Sequence, residues 1–129
     1  MNIVSDTNIF LAVALNEPER SRIIQLTTGT DAMAPEILPY EIGNALSAMI
    51  KRKQITTTEA LRTLKTASTI PVRLISIDIR AALKLAIRFN IYAYDAYFLQ
   101  CAISLSCPLI TLDRRMKQTA NELKIETLE

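Results

Sequence analysis

Four acidic residues of this chain lie within or directly after apolar segments, where an unpaired carboxylate is costly. They are Asp6, Glu41, Asp95 and Asp113. Carboxylates that are crowded together repel one another unless a cation neutralises them. Hard divalent cations such as Mg²⁺ and Mn²⁺ prefer oxygen ligands. If the fold brings the four acids together, the sequence therefore predicts a metal site made of carboxylates.

The residue types that are missing support this choice of chemistry. The chain has 129 residues, with two glycines, no histidine and a formal net charge of +2. Without histidine there is no Ser-His-Asp or Cys-His nucleophile and no imidazole ligand for a catalytic zinc. Two isolated glycines provide neither a G-x-G-x-x-G turn nor a P-loop, which excludes a standard nucleotide-binding loop. The length predicts a single domain over residues 1–129.

The first residues and the cysteines predict a cytoplasmic protein without a membrane anchor. Residues 1–6 lack the basic region of a signal peptide. No apolar run approaches the roughly 18 uncharged residues of a membrane span. Cys101 lies in an apolar segment and has no C-x-x-C relation to Cys107, which indicates a buried thiol in a reducing compartment.

Short apolar strands alternate with amphipathic helices along the chain. Strands are expected at residues 3–4, 32–34, 72–75, 109–112 and 125–128. Helices are expected over residues 8–15, 17–28, 35–51, 56–68, 78–90 and 94–105, and from residue 114 onward. Thr56 and Glu59 form a capping box for the fourth helix, Ser76 or Asp78 caps the fifth, and Asn90 lies near its end. This alternation predicts an α/β fold with a mostly parallel sheet and helices on both faces. Ligands of such sheets bind at the carboxyl ends of the strands.

The four acids fall near that edge of the predicted sheet. Asp6 and Asp113 follow predicted strands, and Glu41 and Asp95 lie near the starts of predicted helices. Each acid also has a purely structural alternative. The three aspartates could cap the helices that begin beside them, and Glu41 could form a half-buried pair with Arg or Lys. Caps alone leave unexplained why all four acids converge on one edge.

At these positions the sequence resembles the PIN-domain ribonucleases, and among them the short VapC-type toxins of toxin–antitoxin pairs. The resemblance rests on segments 4–11, 41–46, 94–97 and 109–116, through their order and spacing. It extends from Ile3 to about Ile125. It implies a three-layer PIN-like fold with a mostly parallel five-stranded sheet in the order 3-2-1-4-5 and helices on both faces.

By this resemblance, Asp6, Glu41, Asp95 and Asp113 correspond to the acidic quartet of the family. Asn8 and Thr111 match polar positions that line the family's site. Some members have a further acid three residues after the last aspartate, where this chain has Met116. That difference leaves open whether a second metal position is occupied.

The chemistry implied by the resemblance is metal-assisted hydrolysis of RNA, such as tRNA or mRNA, to a 5′-phosphate and a 3′-hydroxyl. Asp6, Asp95 and Asp113 would hold Mg²⁺ or Mn²⁺, directly or through water. Glu41 would be a further ligand or would orient and deprotonate the attacking water.

Two arginines and the tyrosines are candidates for contact with the RNA. Arg114 and Arg115 stand beside Asp113 and are expected to bind substrate phosphates. The basic segment 51–53 is better explained by the dipole of the helix that it ends. The four tyrosines, at positions 40, 92, 94 and 97, could stack on bases, although core packing explains most of them.

The resemblance also implies two protein partners. A VapB-type antitoxin would cover the apolar helices near the site and offer an Arg or Lys to the acids. A second copy of the chain would form a homodimer, with part of the apolar segment 9–15 as a candidate contact.

Two other functions remain open at this point. A Mg²⁺-dependent phosphatase of the haloacid-dehalogenase type also begins with a strand that ends in Asp. It needs a second Asp two residues later, where this chain has Asn8. A non-catalytic PIN-like or flavodoxin-like binding module would instead use the acids only as caps and in salt bridges.

Overall fold

A parallel sheet of four strands forms the centre of the molecule in the computed structural model, which describes residues 1–129. The strands are β1 (Asn2–Ser5), β2 (Asp31–Pro35), β3 (Arg73–Ile75) and β4 (Leu109–Ile110). Their order is β3-β2-β1-β4, and every pairing is parallel. The predicted order of the first four strands is therefore confirmed.

The fifth strand predicted at residues 125–128 is not a strand of this sheet. The segment makes one isolated parallel bridge, between Leu109 and Thr127. It lies beside β4, where the backbone N–H of Leu109 donates to Glu126 O at 2.8 Å. Pairing stops there because β4 itself is only two residues long. The chain then turns at Asp113 into the last helix.

Seven helices connect and flank the strands. They are α1 (Thr7–Ala14), α2 (Arg20–Thr27), α3 (Leu38–Lys51), α4 (Thr57–Ser68), α5 (Ile79–Phe89), α6 (Ala93–Leu105) and α7 (Arg114–Glu122). A capping box of Thr56 and Glu59 starts α4, as predicted. Asp78 caps α5 at its start, and Asn90 ends that helix in the left-handed conformation.

The start of α3 differs from the prediction of a helix over residues 35–51. Pro35 belongs to β2, and the N–H of Glu36 still donates to Ile75 O of β3 at 3.1 Å. The helix begins only at Leu38, and Pro39 lies at its first positions, where a missing N–H has no cost. Pro39 therefore belongs to the helix start and does not bend the helix.

The core lies on both sides of the sheet because consecutive strand residues point to opposite faces. Ile3 and Val4 are both fully buried but belong to different hydrophobic clusters. Ile3 packs in a small cluster with residues of α1 and α2, and Val4 in the main cluster with residues of α3, α4, α6 and α7. Helices therefore cover both faces, as predicted.

Three residues noted in the sequence have clear positions in this core. Met116 is buried in the main cluster, so the position where some relatives carry an additional acid is here part of the apolar interior. Cys101 is buried and Cys107 half-buried, and both are free thiols. None of the helices combines the length and apolar character that crossing a membrane requires.

Candidate active site

The structure brings the four predicted acids together in one cleft of about 410 Å³ at the carboxyl edge of the sheet. Asp6 comes from the end of β1, Glu41 from the first turn of α3, Asp95 from the first turn of α6, and Asp113 from the start of α7. The cleft is also lined by Thr7, Asn8, Leu11, Ile37, Tyr40, Asn44, Ala45 and Tyr94. Four carboxylates that are up to 107 residues apart in sequence (113 − 6) thus face one space.

Asp6 is the most deeply buried of the four, with 7% of its surface exposed. Its Oδ1 accepts from the N–H of Thr7 at 2.8 Å. Its Oδ2 accepts from the Thr111 hydroxyl at 2.7 Å and from the Asn8 amide at 3.2 Å. Burial raises the pKa of Asp6 to about 6, and the charges of Asp95 and Asp113 add to that rise. The hydrogen bonds from Thr111 and Thr7 act in the opposite direction.

Asp113 is held by the helix that it starts. Its Oδ1 accepts from the N–H of Arg115 at 2.8 Å and from the N–H of Met116 at 3.2 Å. Both bonds go to one oxygen, so Oδ2 is free to face a ligand. Asp6 and Asp113 are thus helix caps and cleft residues at the same time, whereas the sequence presented these roles as alternatives.

Glu41 has a different partner from the Arg or Lys considered as an alternative. Its Oε2 accepts from the Thr7 hydroxyl at 2.6 Å. Burial raises the pKa of Glu41, the Thr7 hydrogen bond lowers it, and the charges of Asp6 and Asp95 raise it further. Glu41 is therefore a half-buried acid whose neighbours in the cleft are other acids.

Asp95 is not a helix cap. The cap position of α6 is Tyr92, and no side chain bonds the free N–H groups there. Burial raises the pKa of Asp95, and the charge of Asp113 raises it further, while Arg115 lowers it. No hydrogen bond contributes to that balance, so its carboxylate is the least constrained of the four.

The two predicted auxiliary residues connect Asp6 to the other side of the cleft. Thr111 is 2% exposed, donates to Asp6 and accepts from the N–H of Asp113 at 3.1 Å. Asn8 donates to Asp6 and accepts from the N–H of Leu112 at 3.2 Å. One hydroxyl and one amide thereby tie the start of α1 to the turn before α7.

Sequence reasoning missed Thr7 and Asn44. Thr7 contacts both Asp6 and Glu41, and its place between two predicted site residues was the available signal. Asn44 lines the cleft one turn after Glu41 on α3. A spacing of three residues on a helix places two side chains on one face, so this residue too could have been found.

The two predicted RNA-binding arginines have different positions. Arg115 lies in a smaller pocket that adjoins the cleft through Asp95, together with Tyr92. Its Nη2 donates to Asn90 O at 2.6 Å, which holds the guanidinium beside the acids. Arg114 is exposed and does not line the cleft. Of the two, Arg115 is the one that is placed to meet a substrate.

The donor set matches a hard divalent cation in its chemistry. All the ionisable groups of the cleft are carboxylates or tyrosine, and three of the four carboxyls have pKa values raised by burial and mutual repulsion. A cation would relieve that repulsion. No group of three or more of these side chains is arranged to hold an ion directly. With the side chains as they lie, an ion in the cleft would be held by one or two carboxylates and by water, as Mg²⁺ often is.

Fold and cleft together define a small parallel α/β protein with an acidic site, and comparison with known proteins identifies its class. The model of the PIN domain matches residues 3–122. The chain therefore belongs to the PIN-domain family, and not to the haloacid-dehalogenase phosphatases. The expected fold is confirmed, apart from the fifth strand.

Individual relatives agree with this assignment. The chain is 28% identical to Ribonuclease VapC9 of Mycobacterium tuberculosis over 117 residues, which cover 91% of this chain and 90% of that protein. The crystal structure of PAE2754 from Pyrobaculum aerophilum matches with a TM-score of 0.70 and 24% identity, over 92% of this chain and 87% of the other. The structure of VapBC2 from Rickettsia felis, bound to a DNA fragment from its promoter, matches with a TM-score of 0.70 and 16% identity over 100% of both chains. The two structures show a shared fold.

Proposed function

We propose that this chain is an endoribonuclease that hydrolyses RNA phosphodiester bonds in the acid cleft, as the toxin of a toxin–antitoxin pair. The observation that carries the proposal is the convergence of four carboxylates from four separate elements on one cleft. Membership of the PIN-domain family and the likeness to a protein named a ribonuclease support it.

The cofactor of the proposed reaction is Mg²⁺ or Mn²⁺, with Asp6, Asp95 and Asp113 as ligands, directly or through water. When bound, such an ion lowers the pKa of a water molecule and neutralises charge on the phosphoryl oxygens. Asp6 is fixed in place by its hydrogen bonds. Asp113 has a free oxygen, and Asp95 has no hydrogen bond to break. The donor chemistry supports this assignment.

Glu41 is the proposed group that receives a proton from the attacking water. The Thr7 hydroxyl occupies its Oε2, which orients the carboxylate and leaves Oε1 free. A general base works best when its pKa is near the working pH, and the pKa of Glu41 is raised by its surroundings. Arg115, held beside Asp95 by Asn90, would bind a phosphate of the RNA and offset the repulsion between RNA and the acids.

The proposed partners are a VapB-type antitoxin and a second copy of the chain, in the cytoplasm. The match to VapBC2 covers the whole chain, and that structure is described as bound to promoter DNA. The two free thiols are consistent with a reducing compartment. In the segment proposed for dimer contacts, three residues are buried (Ile9, Phe10 and Ala12), and the other four apolar residues are half-buried.

The test is RNA cleavage by the purified chain, free of antitoxin. Wild type should cut tRNA or mRNA with Mg²⁺ or Mn²⁺ present and lose that activity in EDTA. Asp95→Asn removes one charge from the cleft without removing a cap, and we expect it to lower cleavage by about a hundredfold. Asp31→Asn, at the start of β2 and outside the cleft, is the matched control and should cut like wild type.

Two results would contradict the proposal. Wild type that cuts no RNA with either metal present would exclude the nuclease function and favour a binding module. Equal cleavage by Asp95→Asn and wild type would show that the cleft is not the site. Hydrolysis of an aryl phosphate, measured in parallel, should be absent.

A further inference from the structure

A second pocket, of about 310 Å³, adjoins the acid cleft and shares no lining residue with the pocket that contains Arg115. Ile37 and Tyr40 line both the cleft and this pocket, so the two spaces are neighbours. Ile77, Ile79 and Tyr97 complete its apolar surface. We call it the side pocket. The mechanism proposed above assigns no role to it.

The surface of the side pocket favours a flat, neutral group. Its only charged lining residue is Glu36, and it has no cation, so it would repel a phosphate. The ring of Tyr97 is held edge-on against Tyr94, with 6.1 Å between centroids and 80° between planes. Tyr40 is 76% exposed at the boundary with the cleft, where its ring is available for stacking.

The pocket that adjoins the acid cleft at Asp95 has the reverse character. The pocket that contains Asp95 and Arg115 is lined mainly by polar groups and carries the arginine that Asn90 holds. Phosphates of a bound RNA are therefore drawn to the Arg115 side and away from the side pocket. The base is the flat and neutral part of a nucleotide, and it suits the side pocket better than a phosphate does.

We propose that the side pocket receives one unstacked base of the RNA, next to the phosphodiester bond that is cut. This inference rests on the proposed ribonuclease function and names the part of the substrate that the enzyme recognises. Proteins that bind single-stranded RNA commonly turn bases out of the stack and hold them on aromatic side chains. The carboxylate of Glu36 at the rim can accept a hydrogen bond from a base amino group.

The alternative occupant is a second protein chain. The apolar surface of Ile79 extends along α5 to Leu83 and Ile87, and all three residues are exposed. Their spacing of four residues places them on one face of the helix. Ile37 and Tyr40 also line the acid cleft, so an occupant of the pocket would lie beside the reacting phosphate, which favours the base.

The test uses an RNA oligonucleotide that wild type cuts at one bond, and versions in which the base on either side of that bond is removed. We expect one of the two abasic versions to be cut about tenfold more slowly in kcat/KM. Tyr40→Ala should slow cleavage of the intact oligonucleotide by a similar factor and have little further effect on that abasic one. Tyr40→Phe, which keeps the ring, should restore the rate.

Ile79→Ala and Ile87→Ala provide a matched pair for the same measurement. Both residues are exposed isoleucines of α5, at 63% and 73%, and only Ile79 lines the side pocket. Ile79→Ala should lower kcat/KM several-fold on the intact oligonucleotide and have a smaller effect on the abasic one. Ile87→Ala should match wild type on both.

Three outcomes would overturn the inference while the ribonuclease function stands. In the first, abasic substrates are cut as fast as intact RNA. In the second, Tyr40→Ala slows cleavage of both substrates equally. In the third, Ile79→Ala cleaves normally but sediments as a monomer where wild type sediments as a dimer. The last outcome would assign the pocket to a protein contact. Wild type that cuts no RNA with metal present would overturn both proposals together.

Discussion

Asp6 and Asp113 are held by backbone groups, whereas Glu41 and Asp95 are not. The first two follow β1 and β4, which are neighbours in the sheet, and each caps the helix that begins after it. Glu41 and Asp95 project from the first turns of α3 and α6. Glu41 accepts a single hydrogen bond, from Thr7, and Asp95 has no hydrogen bond that affects its pKa.

The difference separates a fixed pair of acids from an adjustable pair. Thr111 strengthens the fixed pair, because its hydroxyl bonds both the Asp6 carboxylate and the Asp113 backbone. Groups locked by such partners keep their geometry before a ligand arrives. The adjustable pair can move toward the ligand by changes of side-chain rotamer alone. We therefore expect the fixed pair to set where an ion binds and the adjustable pair to complete its surroundings.

The largest effect is expected for Asp6→Asn. We expect cleavage to fall on the order of a hundredfold to a thousandfold, as for other electrostatic groups at the reacting centre. The free energy of unfolding at pH 7.5 in EDTA should nevertheless rise. A carboxyl with a pKa of about 6 in place of 3.8 is less stable as an anion by on the order of 3 kcal/mol.

The raised pKa of Asp6 makes the free energy of unfolding of the wild type fall as the pH rises. Folded wild type retains a proton on Asp6 between pH 3.8 and about 6 that the unfolded chain has lost. Its stability from this group is complete below pH 3.8 and declines as the pH rises through about 6. Asp6→Asn should lack this decline in urea titrations. If Asp95→Asn, at the half-buried position, raises the free energy of unfolding as much as Asp6→Asn does, the contrast between the fixed and the adjustable pair of acids is wrong.

An intermediate effect is expected for Thr111→Val, which keeps the shape of the side chain and removes its hydroxyl. The Asp6 and Asp113 groups would each lose a buried partner, at a cost of about 1–3 kcal/mol. Cleavage should fall about tenfold to a hundredfold, as when the supporting partner of a metal ligand is removed. Urea unfolding and kcat/KM measure the two effects.

Thr63→Val is the matched control for that variant. Thr63 is also buried, with 6% exposed, and its hydroxyl bonds Glu59 O within its own helix α4. It should lose stability and keep the activity per folded molecule. If both variants lose activity equally, Thr111 supports the fold only and does not position the acids.

The smallest effect is expected for Thr7→Val, which releases Glu41 from its hydrogen bond. That bond lowers the pKa of Glu41 against the effect of burial, so without it the pKa should rise. The acidic limb of the kcat/KM profile should move to higher pH, with a few-fold loss of rate at neutral pH. Thr7→Ser, which retains a hydroxyl, should restore the profile. If the pH profile of Thr7→Val is not shifted, Glu41 is not the group that receives the proton from the attacking water.

The sequence was informative where a structure depends on neighbouring residues. Thr56 with Glu59, Asp78 and Asn90 define the ends of their helices locally, and those ends are confirmed. The order of the first four strands, which the resemblance to the PIN-domain family implied, is confirmed. The prediction of a fifth strand was wrong. β4 has only two residues and pairs with that segment at a single bridge, because the chain turns into α7 soon after β4.

The site could be predicted as a set of residues but not as a set of contacts. All four acids reach one cleft, as the edge rule predicts. The partner of Glu41 was not foreseen, because Thr7 is 34 residues away in sequence. The roles of Asp6 and Asp113 were treated as cap or site, since one-dimensional reasoning does not reveal that different oxygens of a single carboxylate can serve both.

The position of β1 in the sheet determines when the cleft can exist during synthesis. β1 precedes the other strands in sequence, yet its neighbour β4 follows all of them. At about 5–20 residues per second, several seconds separate Asp6 from the hydroxyl that bonds it, 105 residues later. Until Thr111 and Asp113 have left the ribosome, a growing chain carries Asp6, Glu41 and Asp95 but lacks the strand and the fourth acid that complete the cleft. The cleft therefore forms only after its last acid has been translated.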